Sequence, residues 1–249
     1  MTPGREGPPP AAVVWHDVEC GGYDADLPLW RELAETEGGP VLDIGAGTGR
    51  VALDLARRGH DVTALDRDPV LLAELERQAD DLPVRTVTGD ARELDLGAAR
   101  FALVLVPMQT VQLFGGAAGR AAFLRRAVEH LRPGGLLAAA LAGPLDTFDA
   151  AETEPLPLPD VAQHAGWAYF SQPVAVRGDG AGTVIERVRQ TVSPTGERRE
   201  EPNAIRLDAL DADTLAAEAA SHGFTALPPR AIPVTTEHVG STVALLRRG

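Results

Sequence analysis

The sequence contains no lysine; all 23 of its basic residues are arginine. A Schiff-base lysine, a phosphate-loop lysine and the Tyr plus Lys pair of a short-chain dehydrogenase are therefore excluded. Cysteine is nearly as scarce, with Cys20 standing alone. Neither an intramolecular disulfide nor a cluster of thiolate zinc ligands can form, and a reducing, cytoplasmic setting is expected. No apolar run approaches the roughly 18 residues of a membrane span, so no membrane partner is expected. The Pro- and Gly-rich start carries one short apolar run, Ala11 to Trp15, shorter than the hydrophobic region of a signal peptide. The first ten residues are expected to be disordered. Positive charge is also in deficit. A formal charge of −13 repels a polyphosphate backbone, and the Arg pairs at 57/58, 125/126, 198/199 and 247/248 are scattered, which argues against nucleic acid. No spacing of His and carboxylates suggests a metal site.

What is present suffices for a sizeable core, since 44% of the 249 residues are hydrophobic. From residue 25 to about 145, apolar runs of strand length alternate with helical patterns, as in a parallel sheet covered by helices on both faces. Strands are expected near Val41 to Ile44, Asp61 to Leu65, Val84 to Thr88, Phe101 to Val106 and Leu136 to Leu141. Helices are expected over Arg50 to Arg58, from an Asp68 cap and Pro69 through Leu75, and over Arg120 to Leu131. The pattern then changes. From Trp167 to Leu210, three β-rich stretches separated by Gly178-Asp179-Gly180 and Pro194-Thr195-Gly196 read as an antiparallel meander. A helix near Asp213 to Ser221 and a strand near Val239 to Leu246 return to the first pattern. The expected organisation is an N-terminal arm (1–24, partly disordered), an α/β core (25–145 and 211–249) and an antiparallel β lid insertion (146–210).

The segment Val41-Leu42-Asp43-Ile44-Gly45-Ala46-Gly47-Thr48-Gly49-Arg50 places three alternate glycines between a buried strand and a helix. Such a turn lets the backbone approach a ligand closely, although glycine alone serves any tight connection. Position adds specificity. Asp66 lies 23 residues beyond Asp43, at the end of the second strand, where α/β nucleotide folds bind ribose hydroxyls. Gly89-Asp90-Ala91 supplies a carboxylate at the end of the third strand that can accept from an exocyclic amine.

Together these residues resemble the class I S-adenosylmethionine-dependent methyltransferases, over roughly residues 25 to 145. The resemblance implies a doubly wound, mostly parallel seven-stranded Rossmann-like α/β sheet with S-adenosyl-L-methionine as cofactor. It assigns Asp43, Gly45, Ala46, Gly47 and Gly49 to the methionine moiety and Asp66 to the ribose diol. Asp90 and Ala91 fall to the adenine, with Arg67, Pro107 and Met108 completing the cofactor-binding set. Pro133-Gly134-Gly135 before the fifth strand is also similar to the family. Phe101 is followed by Ala102 where many members have Asp. After the fourth strand, Pro107-Met108-Gln109-Thr110 replaces the Asn/Asp-Pro-Pro-aromatic sequence of enzymes that methylate DNA bases or protein glutamine, and no carboxylate from Pro107 to Gly116 offers a catechol-type magnesium site. The meander is similar in placement to the lid sheet of small-molecule methyltransferases, including amino-sugar N-methyltransferases of natural-product pathways.

Methyl transfer from a sulfonium is an in-line displacement that asks for alignment, water exclusion and, where needed, removal of a proton. The acceptor half is accordingly less legible. Candidate catalytic residues are His16 and Tyr23, and candidate acceptor-binding residues are Gln109, Trp167 and Tyr169, with His164 and His238 weaker. Each also has a packing explanation. Trp167, Tyr169 and Phe170 crowd three of eleven aromatics into four positions, and aromatic walls suit a planar or apolar small molecule. The expected partner is a small-molecule acceptor methylated on N, O or C, and the expected assembly a monomer or homodimer. Two alternatives remain open at this point. One is a protein that binds the cofactor without transferring methyl. The other is an NAD-dependent dehydrogenase, disfavoured because Gly47 and Gly49 are two residues apart where the dinucleotide fingerprint spaces its last two glycines by three.

Overall fold

The computed structural model describes residues 9–143, 145–235 and 239–249. In chain order, α1 (Ala11–His16) runs into a π turn (Asp17–Gly21), then α2 (Leu27–Glu37), β1 (Val41–Ile44), α3 (Arg50–Arg57), β2 (Val62–Asp66), α4 (Pro69–Ala79) and β3 (Val84–Thr88). There follow β4 (Phe101–Val106), α5 (Gly116–His130), β5 (Leu131–Ala142), β6 (Phe148–Asp149), β7 (Asp160–His164), β8 (Trp167–Gly178), β9 (Gly182–Val192) and β10 (Arg198–Asp208). The chain closes with α6 (Ala212–Ala220), β11 (Phe224–Ile232) and β12 (Ser241–Arg248). Two compact units result. One comprises the described residues of Tyr23–Pro144 with Asp208–Gly249, and the other those up to Gly22 with Leu145–Leu207.

The first unit is a seven-stranded sheet in the order β11-β12-β5-β4-β1-β2-β3. Strands β1 to β5 pair in parallel, while β12 runs antiparallel to β5 and β11 antiparallel to β12. Strands β1 and β4 are buried along their whole length, which is why β4 reads as a continuous apolar run and β1 as one broken only by Asp43. Their alternate side chains enter different cores. Val41, Leu103 and Leu105 join Trp30, Leu53 and Leu75 in one core, whereas Leu42, Ile44, Val104 and Val106 join Phe123, Leu124 and Leu215 in another. Asp68 caps α4 through Val70 N–H at 2.8 Å, as its place before Pro69 suggests. Strand β11 lies outside the sequence expectation because Pro228 and Pro229 interrupt it. It tolerates them as an edge strand whose register with β12 shifts between Leu227 and Arg230.

Gln112, nearly fully buried, ties two distant segments of this unit. Its amide accepts from Ala142 N–H at 2.8 Å and donates to the Asp208 carbonyl at 3.1 Å. The Asp208 carboxylate accepts from Gly116 N–H at 2.6 Å and from Arg120, which is itself forked onto Glu218. The last residue of β5 and the residue that reopens the unit are thus both held to Gln112, which lies between β4 and α5, and Asp208 is also held to the first turn of α5.

In the second unit, β10, β9, β8 and β6 are neighbours in one sheet and β7 also pairs with β8. The sequence anticipates β8, β9 and β10 and their turns but not β7, whose hairpin turns through Ala165 and Gly166, both with positive φ. Nor does it anticipate that the N-terminal arm is helical from Ala11. Val14 and Trp15 of α1 bury against Tyr169, whose ring meets that of Trp15 edge-on at 5.8 Å. Glu19 accepts from Arg189 at 2.8 and 2.9 Å and from Ser171 Oγ at 2.8 Å, so the arm is part of this unit's interior. These bonds and the neighbouring Arg187 charge hold the Glu19 carboxyl below its usual range although burial, the largest single influence, acts in the opposite direction.

Candidate cofactor site

Because β1 to β4 are parallel neighbours, their carboxyl ends share one edge, where open α/β sheets bind ligands. The turn after β1 is fixed by its own backbone: Gly45 and Ala46 N–H both donate to the Leu65 carbonyl, at 2.8 and 3.0 Å, and Gly49 N–H donates to Ala46. Glycine is required at two of these positions for local reasons. A Cβ on Gly45 (φ +72°) would stand 2.7 Å from Thr110 Cγ2, and one on Gly49 (φ +97°) 2.7 Å from Leu75 Cγ.

Asp43 projects from β1 beside this turn and is 1% exposed. Neither carboxylate oxygen has a hydrogen-bond partner of ordinary geometry among the described residues. Burial pushes its pKa from 3.8 to about 7, with the Arg50 charge and the Ala52 backbone N–H giving only partial relief and Asp66 adding to the rise. Asp66, at the end of β2, is half-buried and already engaged: Oδ2 accepts from Gly47 N–H and Oδ1 from Asp68 N–H, each at 2.9 Å. Its remaining lone pairs are the ones a diol could use. Asp90 follows β3 and is gripped by Arg92, whose backbone N–H caps on it at 2.8 Å and whose guanidinium forks onto it at 2.5 to 3.1 Å. The Arg92 hydrogen bonds hold the Asp90 carboxyl below its ordinary value. Arg67 is exposed near by, and its charge acts in the same direction.

After β4, Pro107 is buried, Met108 takes a left-handed φ of +54° and Gln109 opens the 3₁₀ turn Thr110–Leu113. Tyr23 also belongs to this unit. Its ring is 7% exposed beneath the Arg50 guanidinium, 5.3 Å from the ring centroid, and its phenol is hydrogen-bonded to Ser241. Burial first, then the Asp26 charge, pushes the phenol above its usual range. The residue that sequence reasoning missed is Asp26, whose 1%-exposed side chain takes Arg50 in a fork at 2.6 and 2.8 Å while Arg50 also donates to the Tyr23 carbonyl. This pair fastens the entry of α2 to the first residue of α3. Only the charge immediately after Gly49 hinted at it.

The core unit therefore contains Asp43, Gly45, Ala46, Gly47, Gly49, Asp66, Arg67, Asp90, Ala91, Pro107, Met108, Gln109 and Tyr23. His16, Trp167 and Tyr169 belong to the meander unit. His16 ends α1 with Nδ1 3.4 Å from the Asp17 carboxylate. Trp167 is half-buried in the turn that pairs it with exposed His164, and Tyr169 is 5% exposed in that unit's core. His238 lies outside the described residues. Among the described residues no three His, Cys, Asp or Glu side chains gather as a metal-ligand set, and no helix is long and apolar enough to cross a membrane.

Residues 41–135 match the family described as Methyltransferase domain, and the architecture is the Rossmann-like methyltransferase fold. The structure of CalS10, an amino pentose methyltransferase from Micromonospora echinaspora, superposes with a TM-score of 0.74 at 22% identity, covering 95% of this chain and 97% of that one. The sugar N-methyltransferase KedS8 from Streptoalloteichus gives 0.72 at 20% identity, covering 100% and 97%. In sequence, a cypemycin N-terminal methyltransferase from Streptomyces is 36% identical over 47% of this chain and 44% of its own length. The match to that curated relative thus spans less than half of it.

Proposed function

We propose that this chain is an S-adenosylmethionine-dependent methyltransferase acting on a small-molecule acceptor. The observation that carries the reading is the set of three carboxylates, Asp43, Asp66 and Asp90, at the ends of three adjacent parallel strands around one glycine turn. S-adenosylmethionine, when bound, supplies an electrophilic methyl group on a positively charged sulfonium. The residues fit it. Asp43 has two buried oxygens in want of donors, which an ammonium group provides. Asp66 keeps lone pairs that a ribose diol would use, and the Asp90–Ala91 turn at the end of the neighbouring strand would receive the adenine. Pro107, Met108 and Gln109 border the same edge.

The protein's share of catalysis is alignment and exclusion of water, with His16 the candidate proton acceptor and Trp167 the candidate acceptor wall. A small organic acceptor, with amino sugars the first to assay, agrees with the activities named for the two structural relatives. A net charge of −13 disfavours nucleic acid. Mass spectrometry of turnover with S-adenosylmethionine and an amine panel decides the matter. A methylated product together with S-adenosylhomocysteine is expected, and cofactor that binds but is never consumed across the panel would replace transfer by binding alone.

A further inference from the structure

Gln112 does more than core packing asks of it. A leucine or methionine would fill the same space with no polar group to satisfy. The glutamine is 4% exposed, and both halves of its amide are engaged. Oε1 accepts from Ala142 N–H at 2.8 Å, and Nε2 donates to the Asp208 and Ala142 carbonyls at 3.1 and 3.5 Å. Its partners lie 30 and 96 residues away in sequence. Ala142 stands shortly before the chain leaves the core unit at Leu145, and Asp208 is the residue at which it returns. One side chain therefore holds both ends of the excursion that forms the meander.

The same turn reaches the cofactor edge. Gln112 belongs to the 3₁₀ turn Thr110–Leu113, whose first side chain lies so close to the glycine turn that a Cβ on Gly45 would meet Thr110 Oγ1 at 2.9 Å. Gln112 N–H donates back to the Gln109 carbonyl at 2.9 Å, directly after Pro107 and Met108. Val111, between Thr110 and Gln112, is fully buried in the core beside Ile44 and Val106. Close packing leaves such a turn little freedom to move piecemeal. Gly45, Thr110, Gln112, Ala142 and Asp208 thus form one continuous chain of contacts.

We infer that Gln112 is a positioning residue that couples occupancy of the cofactor edge to the two segments, 140–142 and 208–212, where the chain leaves and re-enters the core unit. The inference rests on the cofactor reading above. A ligand seated against the glycine turn and Met108 restrains the 3₁₀ turn, and through the Gln112 amide the turn restrains both segments. Methyl transfer needs its acceptor held in line with the methyl group. These segments carry the chain into and out of the unit that contains Trp167, so Gln112 makes order on the acceptor side conditional on cofactor.

Amide hydrogen exchange of the full chain, read by mass spectrometry with and without saturating S-adenosylhomocysteine, tests it. In the wild type the ligand should slow exchange about fivefold or more at residues 107–113, at 140–142 and at 209–212. Gln112→Met keeps the volume and removes the amide; it should retain the slowing at 107–113, with less than about twofold left at the other two segments. Asp211→Ala removes the α6 cap and loosens the returning segment without touching Gln112, so slowing at 140–142 should persist. Slowing missing from any of the three segments in a wild type that binds the ligand overturns the inference and leaves the cofactor reading standing. So does undiminished slowing in Gln112→Met, or equal loss at 140–142 in both variants. A wild type that binds no S-adenosylhomocysteine by calorimetry overturns the cofactor reading and this inference with it. The wild-type measurement decides even if Gln112→Met fails to fold.

Discussion

Gly47 N–H donates to Asp66 Oδ2 at 2.9 Å, so the glycine turn after β1 is fastened to the end of β2 by the carboxylate proposed to receive the ribose. Asp66 thereby has two duties. Replacing it by Ala should weaken S-adenosylmethionine binding by about 1 to 3 kcal/mol and also lower stability by about 1 kcal/mol, because the Gly47 and Asp68 amides lose their acceptor. Asp66→Asn should fall between, since one oxygen becomes a donor facing an N–H. Calorimetry and thermal melts of both variants provide the check, and normal binding by the Ala variant would remove Asp66 from the site.

Asp43 gives the ligand-free protein a defined pH dependence. The unfolded chain releases this proton near 3.8 and the folded chain only near 7, so the folded state holds the extra proton between those values. Stability contributed at this site therefore declines as pH rises from roughly 4 to 7 and levels off above. Asp43→Asn should flatten that decline. A cationic ligand favours the ionised carboxylate, so S-adenosylmethionine affinity should rise with pH toward about 7 in the wild type and not in Asp43→Asn. Denaturant unfolding and titrations across this window measure both, and parallel profiles for the two proteins would refute the account of Asp43.

The buried fork between Asp26 and Arg50 predicts a large, recoverable loss. Arg50→Ala leaves a carboxylate of 1% exposure without its partner and should cost about 3 to 5 kcal/mol of stability. Adding Asp26→Asn should restore part of it. A double-mutant cycle by chemical denaturation gives the coupling, and strictly additive losses would mean the pair does not act as one.

Two aromatics expected to act alike should behave differently. Tyr169 is packed on Trp15, so Tyr169→Ala should destabilise the meander by about 3 to 5 kcal/mol. Trp167, half-buried at a turn, should tolerate Ala better. Trp167→Ala should instead raise the acceptor KM or lower kcat, with cofactor affinity within about threefold, under roughly 1 kcal/mol. Unchanged acceptor kinetics in that variant would strike Trp167 from the acceptor wall.

Strands β1 and β4 were legible to the residue because a buried parallel strand is largely apolar, and β3, a half-exposed edge strand, because its β-branched residues lie between turn sequences. The glycine turn and Asp66 were legible because their spacing is a local consequence of one strand, one helix and the next strand. Strand β11 was hidden by Pro228 and Pro229, which an edge accepts and a pattern search rejects. The Asp26–Arg50 fork, the Arg92 grip on Asp90 and the Gln112 clasp were not legible. Each depends on which side chains the completed packing brings together, and no sequence period encodes that. The acceptor residues stayed obscure for a chemical reason, since methyl transfer obliges few side chains.

Calorimetric titration of the purified chain with S-adenosylmethionine, S-adenosylhomocysteine and NAD tests the central claim most directly. The account predicts saturable binding of the first two, about one ligand per chain, and no response to NAD. Tight NAD binding with no response to S-adenosylmethionine would contradict it.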